Sequence, residues 1–454
     1  MRRWLLWLIC PIGASILVFL KRAWSSGLLA DTDTIGILGA IRETKNPFAW
    51  FGGDWPLHNH FYRPISTLFF EFDNWAYKTN AAGYGLTNCL IAIGCIFLLF
   101  WMVRELFDSP WLAGVSSLVF GLWHISGTYL SWLNFALVCA SVLVLVGVFR
   151  GWKNIGPAVL ASLGLYFLAT QFMPLQELNF RMIAWLPGRT ASVMLLFCLL
   201  SLASYARWER LTSRKDNPKP TAEDVPATKG TDATAQAKMP WIWLALTIVG
   251  LLLALGSYEQ AVMLPAVLLG FAVIFKTSGR SPHWGVHAIF WAVLVGYVAF
   301  RHNIIPAGTS KYQAQQFRDG PGVLMDAASY FFPPVNSWRN LAAAWTGDIA
   351  LVLTEGFWKP FLELLSGLAI FVLIWKDKQR WAALGMMLLS AFSFLPMAWL
   401  KMFEHYHYWP SALRAVYLLI ALGIVIRAAI NAVSPQAIQA PRRSDPAPGS
   451  LVRP

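Results

Sequence analysis

The chain has 454 residues, 57% of them hydrophobic and only 13% charged, with a formal net charge of +13. Soluble domains average about 25% charged residues, so this composition excludes a protein wetted on every side. Its basic residues flank apolar runs instead of forming one stripe with interleaved aromatics, which points to membrane topology and anionic headgroups rather than nucleic acid.

In chain order, Arg2 and Arg3 precede an apolar run from Trp4 to Leu20, which Lys21 and Arg22 close. No small-residue cleavage site follows, so the run reads as an uncleaved signal anchor. Residues 21–83 are expected to form a long outer loop. Within it, 65–77 mixes Leu68, Phe69, Phe70, Phe72 and Trp75 with Glu71, Asp73 and Asn74, a pattern suited to a helix lying in the membrane interface. Spans approaching the ~20 residues needed to cross a bilayer follow near 84–103, 110–128, 130–149, 156–173 and 190–205. Residues 207–239 are polar, rich in Pro, Thr and Ala, and lack an apolar period; they read as a flexible cytoplasmic linker. The second half carries spans near 241–257, 261–275, 284–300, 357–375, 381–400 and 410–430. Between the third and fourth of these lies an outer loop, 301–356, and the Pro- and Arg-rich tail 434–454 is expected to be disordered. The cysteines (Cys10, Cys89, Cys95, Cys139 and Cys198) all fall inside apolar runs, without metal-ligand spacing.

The expected fold class is an all-α polytopic membrane protein with about twelve transmembrane helices, in halves 1–206 and 240–433. The basic short loops, with Arg150/Lys153, Lys276/Arg280 and Lys376/Lys378/Arg380, set both termini on the cytoplasmic side. Asp31, Asp33, Glu177, Glu259 and Glu404 then reach the outer face, together with Arg63, Arg181, Arg189, Arg301, Arg414, His405 and His407. Carboxylates where a helix leaves a bilayer are costly to desolvate, so such a cluster reads as functional. Asp31 and Asp33 fit equally the cap of a surface helix. Glu177 and Glu259 fit structural partners of Arg181 or Arg189.

Several segments carry a resemblance. Asp31 and Asp33 follow the first span, then come Phe61-Tyr62-Arg63-Pro64 and Ala82-Gly83-Tyr84-Gly85-Leu86-Thr87-Asn88. Ala184-Trp185-Leu186-Pro187-Gly188-Arg189, Ser257-Tyr258-Glu259-Gln260 and Tyr406-His407-Tyr408-Trp409-Pro410-Ser411 follow in the same order. From about residue 28 to 415 this arrangement resembles the GT-C glycosyltransferase superfamily, most of all bacterial relatives of the dolichyl-phosphate-mannose protein mannosyltransferases.

The resemblance implies an inverting transfer of a sugar from a polyprenyl-phosphate donor to a glycan, lipid or protein acceptor at the outer face of a bacterial inner membrane. It implies a carboxylate base, Asp33 or Asp31, and cations on the donor phosphate, from among Arg63, Arg301, Arg414 and His405. Tyr62, Glu177, Arg189, Glu259 and Tyr406 would support the substrate site. The chain departs from the family where Tyr258 replaces a lysine, His405 replaces an arginine, and Thr32 separates the two acids. These departures keep open a non-catalytic lipid-binding subunit, and the composition leaves a polysaccharide or lipid transporter as a further alternative. No cofactor is implied with certainty. A divalent metal on His58, His60, His405 and His407 is the weaker expectation, against polar loop histidines.

Overall fold

The computed structural model describes residues 3–125, 139–140, 142–144, 146–148, 152–172, 179–213, 240–318, 323–324, 355–401 and 403–433. The described residues are helical and contain no strand; a lone antiparallel bridge joins Phe317 to Leu400.

A 3₁₀ turn at Arg3–Leu8 leads into α1 (Ile9–Leu20), followed by α2 (Thr32–Thr44), α3 (Pro64–Tyr77), α4 (Ala81–Phe107) and α5 (Pro110–Leu122). Then come α6 (Trp152–Phe172), α7 (Phe180–Ala184) and α8 (Arg189–Thr212). The second half has α9 (Pro240–Leu255), α10 (Leu264–Thr277), α11 (Val286–Ile304), α12 (Lys311–Gln316), α13 (Glu355–Lys376), α14 (Arg380–Phe394) and α15 (Tyr408–Val433). Helix starts follow local chemistry. Pro64, Pro110 and Pro265 sit in first turns, where a missing N–H costs nothing, and Asn80 caps α4 by accepting from the Ala82 N–H at 3.1 Å.

Among the described residues, five stretches are long and apolar enough to cross a bilayer: Ala81–Phe107, Arg189–Thr212, Glu259–Thr277, Arg380–Met397 and Glu404–Ala432. This is the architecture of a helical membrane protein. Shorter apolar helices occupy Trp4–Leu20, Pro110–Leu122, Ile155–Gln171 and Pro240–Leu255. The expected span 130–149 lies mostly outside the described residues, as do most of the loop 301–356 and all of the tail 434–454.

The main core joins α4, α8, α9, α10, α14 and α15. Between α8 and α9 the backbones approach closely: a Cβ on Gly250 would lie 2.9 Å from the Ser201 nitrogen and 3.1 Å from the Phe197 carbonyl oxygen. The Ser201 hydroxyl donates to the Thr247 carbonyl across the same contact at 2.8 Å.

Two features differ from the sequence reading. Helix α8 runs on through 207–212, a stretch expected to begin the linker. The reason is electrostatic. Glu105, fully buried at the end of α4, pairs with Arg207 and Arg210 at 3.3 and 3.4 Å, and this fixes the last turns of α8. The rest of the linker, 214–239, lies outside the described residues. The second feature is the segment 21–83, expected as a long loop carrying interfacial helices, which forms α2 and α3 and also packs a core of its own. It builds that core from Leu28, Ile37, Leu38, Ile41, Trp50, Trp55 and Phe70, together with Tyr84 and Leu186 from beyond it. The stretch read as interfacial is α3, which keeps Phe70 inside and leaves Phe72 and Trp75 exposed.

Candidate functional site

Asp31 is the N-cap of α2: its backbone is extended and its carboxylate accepts from the Thr34 N–H at 3.3 Å. Asp33 lies in the first turn of that helix. Below it, Ile37, Leu38 and Ile41 anchor α2 to this smaller core, so the first turn is held over a cavity of about 950 Å³. Thr32, Asp33, Gly36 and Ile37 line this cavity, whereas Asp31 does not.

The second wall is the turn 54–62, which Asp54 organises. Its carboxylate accepts from the N–H groups of Trp55, His60 and Phe61 at 2.7, 3.0 and 2.9 Å. Three bonds from one side chain hold His58 and His60 in the left-handed region, at φ 51° and 59°. Arg63 follows as the residue before α3. It grips Glu259 with two nitrogens, Nε at 2.9 Å and Nη2 at 2.6 Å from Oε2. Its guanidinium also lies over the Phe61 and Tyr258 rings, 4.1 and 4.4 Å from their centroids. Burial works against the charge on Arg63, but Glu259, with Tyr258 and Tyr406, outweighs it and holds the guanidinium's pKa above its ordinary value.

Glu259 is positioned by the turn that opens α10. The Ile65 N–H donates to the Gly256 carbonyl at 3.0 Å, and the Ser66 hydroxyl to the Ser257 carbonyl at 2.9 Å. Gln260 then donates to the carbonyls of Ser393 and Tyr406 at 2.8 and 3.0 Å, which draws the 404–407 turn into the same wall. There His405 packs among Trp185, Tyr258, Phe403 and Tyr406. His405 and Tyr406 both line the cavity.

The last wall comes from the end of α11 and from α12. Arg301 donates through Nη2 to the His60 carbonyl at 3.2 Å, and no carboxylate pairs with it among the described residues. A capping box, Ser310 with Gln313, starts α12. This places Tyr312 against Phe61 at 6.2 Å between ring centroids. Burial raises the Tyr312 pKa, Asp33 raises it further, and Arg63 pulls it back, so this phenol feels both the acid and the guanidinium. Burial also raises the Asp33 pKa, with Asp31 adding to the shift.

Not every residue expected at the site reaches the cavity. Arg189 is fully buried in an ion pair with Asp73 at 2.6 Å, and also donates to Asn88 at 2.7 Å and to the Tyr84 carbonyl at 3.0 Å. It ties α8 to α3 and α4, which is why it is not free for a substrate. Arg414, buried in α15, donates to Gln171 of α6 and does not line the cavity. Tyr62 turns the other way: its hydroxyl donates to the Phe51 carbonyl at 3.2 Å, and its ring faces a separate groove. Glu177 lies outside the described residues.

The histidines do not form a metal-binding set. His60 points Nδ1 at the Gly308 carbonyl at 3.2 Å, and His407 stacks on Phe394. Among the described residues, no three His, Cys, Asp or Glu side chains converge as ligands. Sequence reasoning did not single out Asp54, Tyr312 or Gln260 as site residues. For Asp54 a signal was present, since Gly53-Asp54-Trp55-Pro56 is turn chemistry; Tyr312 is reachable only through the capping box, Ser310 with Gln313, that encloses it.

No protein-family profile, curated protein or solved structure matches this chain.

Proposed function

We propose that the protein is an inverting glycosyltransferase of the GT-C type, with about twelve spans and its cavity opening at the outer face of a bacterial inner membrane. The donor would be a sugar on a polyprenyl phosphate. The observation that carries this reading is that Asp33 of α2, Arg63 before α3 and Arg301 at the far end of α11 line one cavity of about 950 Å³. That size suits a sugar phosphate and an acceptor hydroxyl together. The acceptor oxygen attacks the anomeric carbon as the bond from that carbon to the phosphate oxygen breaks. Asp33 takes the acceptor's proton, and Arg301 stabilises the charge arriving on the leaving phosphate. Aromatic walls at Trp55, Trp185 and Tyr406 exclude water, which would otherwise compete as acceptor.

The test is transfer from a labelled polyprenyl-phosphate sugar in membranes. Asp33→Asn is expected to slow turnover by about 10²–10⁴-fold, the usual contribution of a general base. Asp31→Asn keeps the helix cap, because asparagine accepts at that position as well as aspartate, and retains turnover near neutral pH. Full activity in Asp33→Asn would remove the proposed base.

One observation favours a second reading. Arg63 is already closed by Glu259 at 2.6 Å, and Tyr258 stands where the family carries a lysine, which leaves fewer cations for a phosphate. A non-catalytic lipid-binding subunit follows if purified protein binds the lipid sugar and turns over with no acceptor.

A further inference from the structure

Three buried polar atoms in the cavity lining have no hydrogen-bond partner among the described residues: Arg301 Nε, Gln316 Oε1 and His405 Nδ1. Buried polar groups are rarely left unpaired, so each marks a place where a ligand atom is expected. Arg301 is assigned to the leaving phosphate. The other two belong together, although one closes α12 and the other lies in the turn before α15. The Lys401 N–H donates to the Gln316 carbonyl at 2.8 Å, and the Arg318 N–H to the Trp399 carbonyl at 2.9 Å. This pairing pins the end of α12 to the segment just before the 404–407 turn, and Gln260 fixes that turn through the Tyr406 carbonyl at 3.0 Å.

The charges of the cavity already have tasks. Among its described lining residues, the acidic and basic side chains other than histidine are Asp33, Arg63, Glu259 and Arg301. Arg63 and Glu259 close on each other at 2.6 Å, while Asp33 serves the acceptor and Arg301 the phosphate. Gln316 and His405 therefore share a wall without a free charge, completed by the apolar surfaces of Met397, Leu400 and Tyr406. No carboxylate pairs with His405 among the described residues. Guanidiniums lie on the two rings beside it, Arg63 on Tyr258 at 4.4 Å and Arg181 on Trp185 at 4.3 Å, so the imidazole serves as a neutral partner. A sugar ring presents the complement, with C–H groups for the apolar part and hydroxyls for the amide and the imidazole. An ammonium or carboxylate on that ring would be buried without a counter-charge.

We propose that Gln316 and His405 are specificity residues that read the hydroxyls of a neutral sugar, so that the donor's sugar carries neither a free amine nor a carboxylate. The inference rests on the donor class proposed above, but it is tested by binding, without turnover. The full-length protein in nanodiscs is titrated with polyprenyl phosphates bearing glucose, galactose, mannose, 2-amino-2-deoxyglucose or glucuronic acid. Polyprenyl methyl phosphate, a diester without a sugar, is the reference. The readout is the ratio of affinities for each sugar donor and the methyl diester, which cancels a general loss of folding or of lipid binding.

In the unmodified protein at least one neutral hexose donor is expected to bind about tenfold more tightly than the methyl diester, the worth of two ordinary hydrogen bonds, with no gain for the amino or uronic donor. Gln316→Leu leaves the backbone pairing with Lys401 in place, and His405→Phe keeps a ring; each is expected to cut the hexose ratio about threefold. Gln316→Glu supplies the missing counter-charge and is expected to raise the ratio for the amino-sugar donor about tenfold, a gain that a merely structural role would not produce. Tighter binding of the amino or uronic donor than of every neutral hexose by the unmodified protein, or an unchanged hexose ratio in both Gln316→Leu and His405→Phe, would overturn the proposal. Equal affinity for the methyl diester and all sugar donors would overturn it too, and would leave the lipid carrier standing. If instead the ratios behave as expected while no acceptor is ever glycosylated, only the transferase reading fails.

Discussion

Two aspartates one residue apart take separate tasks because a helix begins between them. Asp31 spends its carboxylate on the Thr34 N–H, while Asp33, inside the first turn, is turned to the cavity. The pair remains coupled: burial raises the Asp33 pKa, and the negative charge on Asp31 raises it further. A carboxylate base works only when deprotonated, so activity is expected to fall as pH drops through this raised pKa, earlier than for an ordinary aspartate. In Asp31→Asn the second cause is gone and the Asp33 pKa falls. The acid limb of kcat/KM should therefore move to lower pH, with the plateau little changed. A pH–rate profile of the two proteins checks this; an acid limb at the same pH in both would mean that Asp33 is not the group titrating.

Among the elements, α3 and α8 show how far the sequence could be read. The helical periods, the proline starts and the apolar lengths were legible, because each is set within one turn or two. The amphipathic character of α3 was legible too, from Phe72 and Trp75 alternating with polar residues. What Asp73 and Arg189 do was not legible, since the two lie far apart in the sequence and nothing local marks one as the partner of the other. In the fold they meet at 2.6 Å with no solvent exposure, and Thr87 donates to the same carboxylate at 2.6 Å. Burial raises the Asp73 pKa by more than Arg189 lowers it, so the pair fixes geometry rather than adding much stability. Breaking it is another matter. Asp73→Ala leaves a buried, unpaired guanidinium and is expected to cost about 3–5 kcal/mol, seen as a large drop in Tm in detergent. Asp73→Asn, which can still accept from Thr87 and Arg189, should lose less.

At the scale of the whole molecule, the candidate site exists only because the two halves of the chain are packed together. Arg63 needs Glu259, Ser66 needs Ser257, and the His60 carbonyl needs Arg301; each pair joins the first half to the second. Local sequence cannot announce such pairings, whereas the contact that brings the halves together leaves a trace in Gly250. Its Cβ position is occupied by the Ser201 nitrogen at 2.9 Å and the Ser201 Cβ at 3.0 Å, atoms that cannot swing aside as a flexible side chain would. Gly250→Leu therefore forces α8 and α9 apart. The expected cost is at least the ~1–3 kcal/mol typical of overpacking, because backbone rather than side chain must move. The same substitution at Gly13, whose Cβ would meet nothing within 4 Å, serves as the control and should leave stability within about 0.5 kcal/mol. The readout is size-exclusion monodispersity with thermal unfolding, followed by crosslinking between cysteines placed at Ser66 and Ser257. If the halves pair through α8 and α9, Gly250→Leu loses that crosslink together with its stability, and Gly13→Leu keeps both. A stable Gly250→Leu protein that still crosslinks would show that the site is held by contacts other than this helix pair.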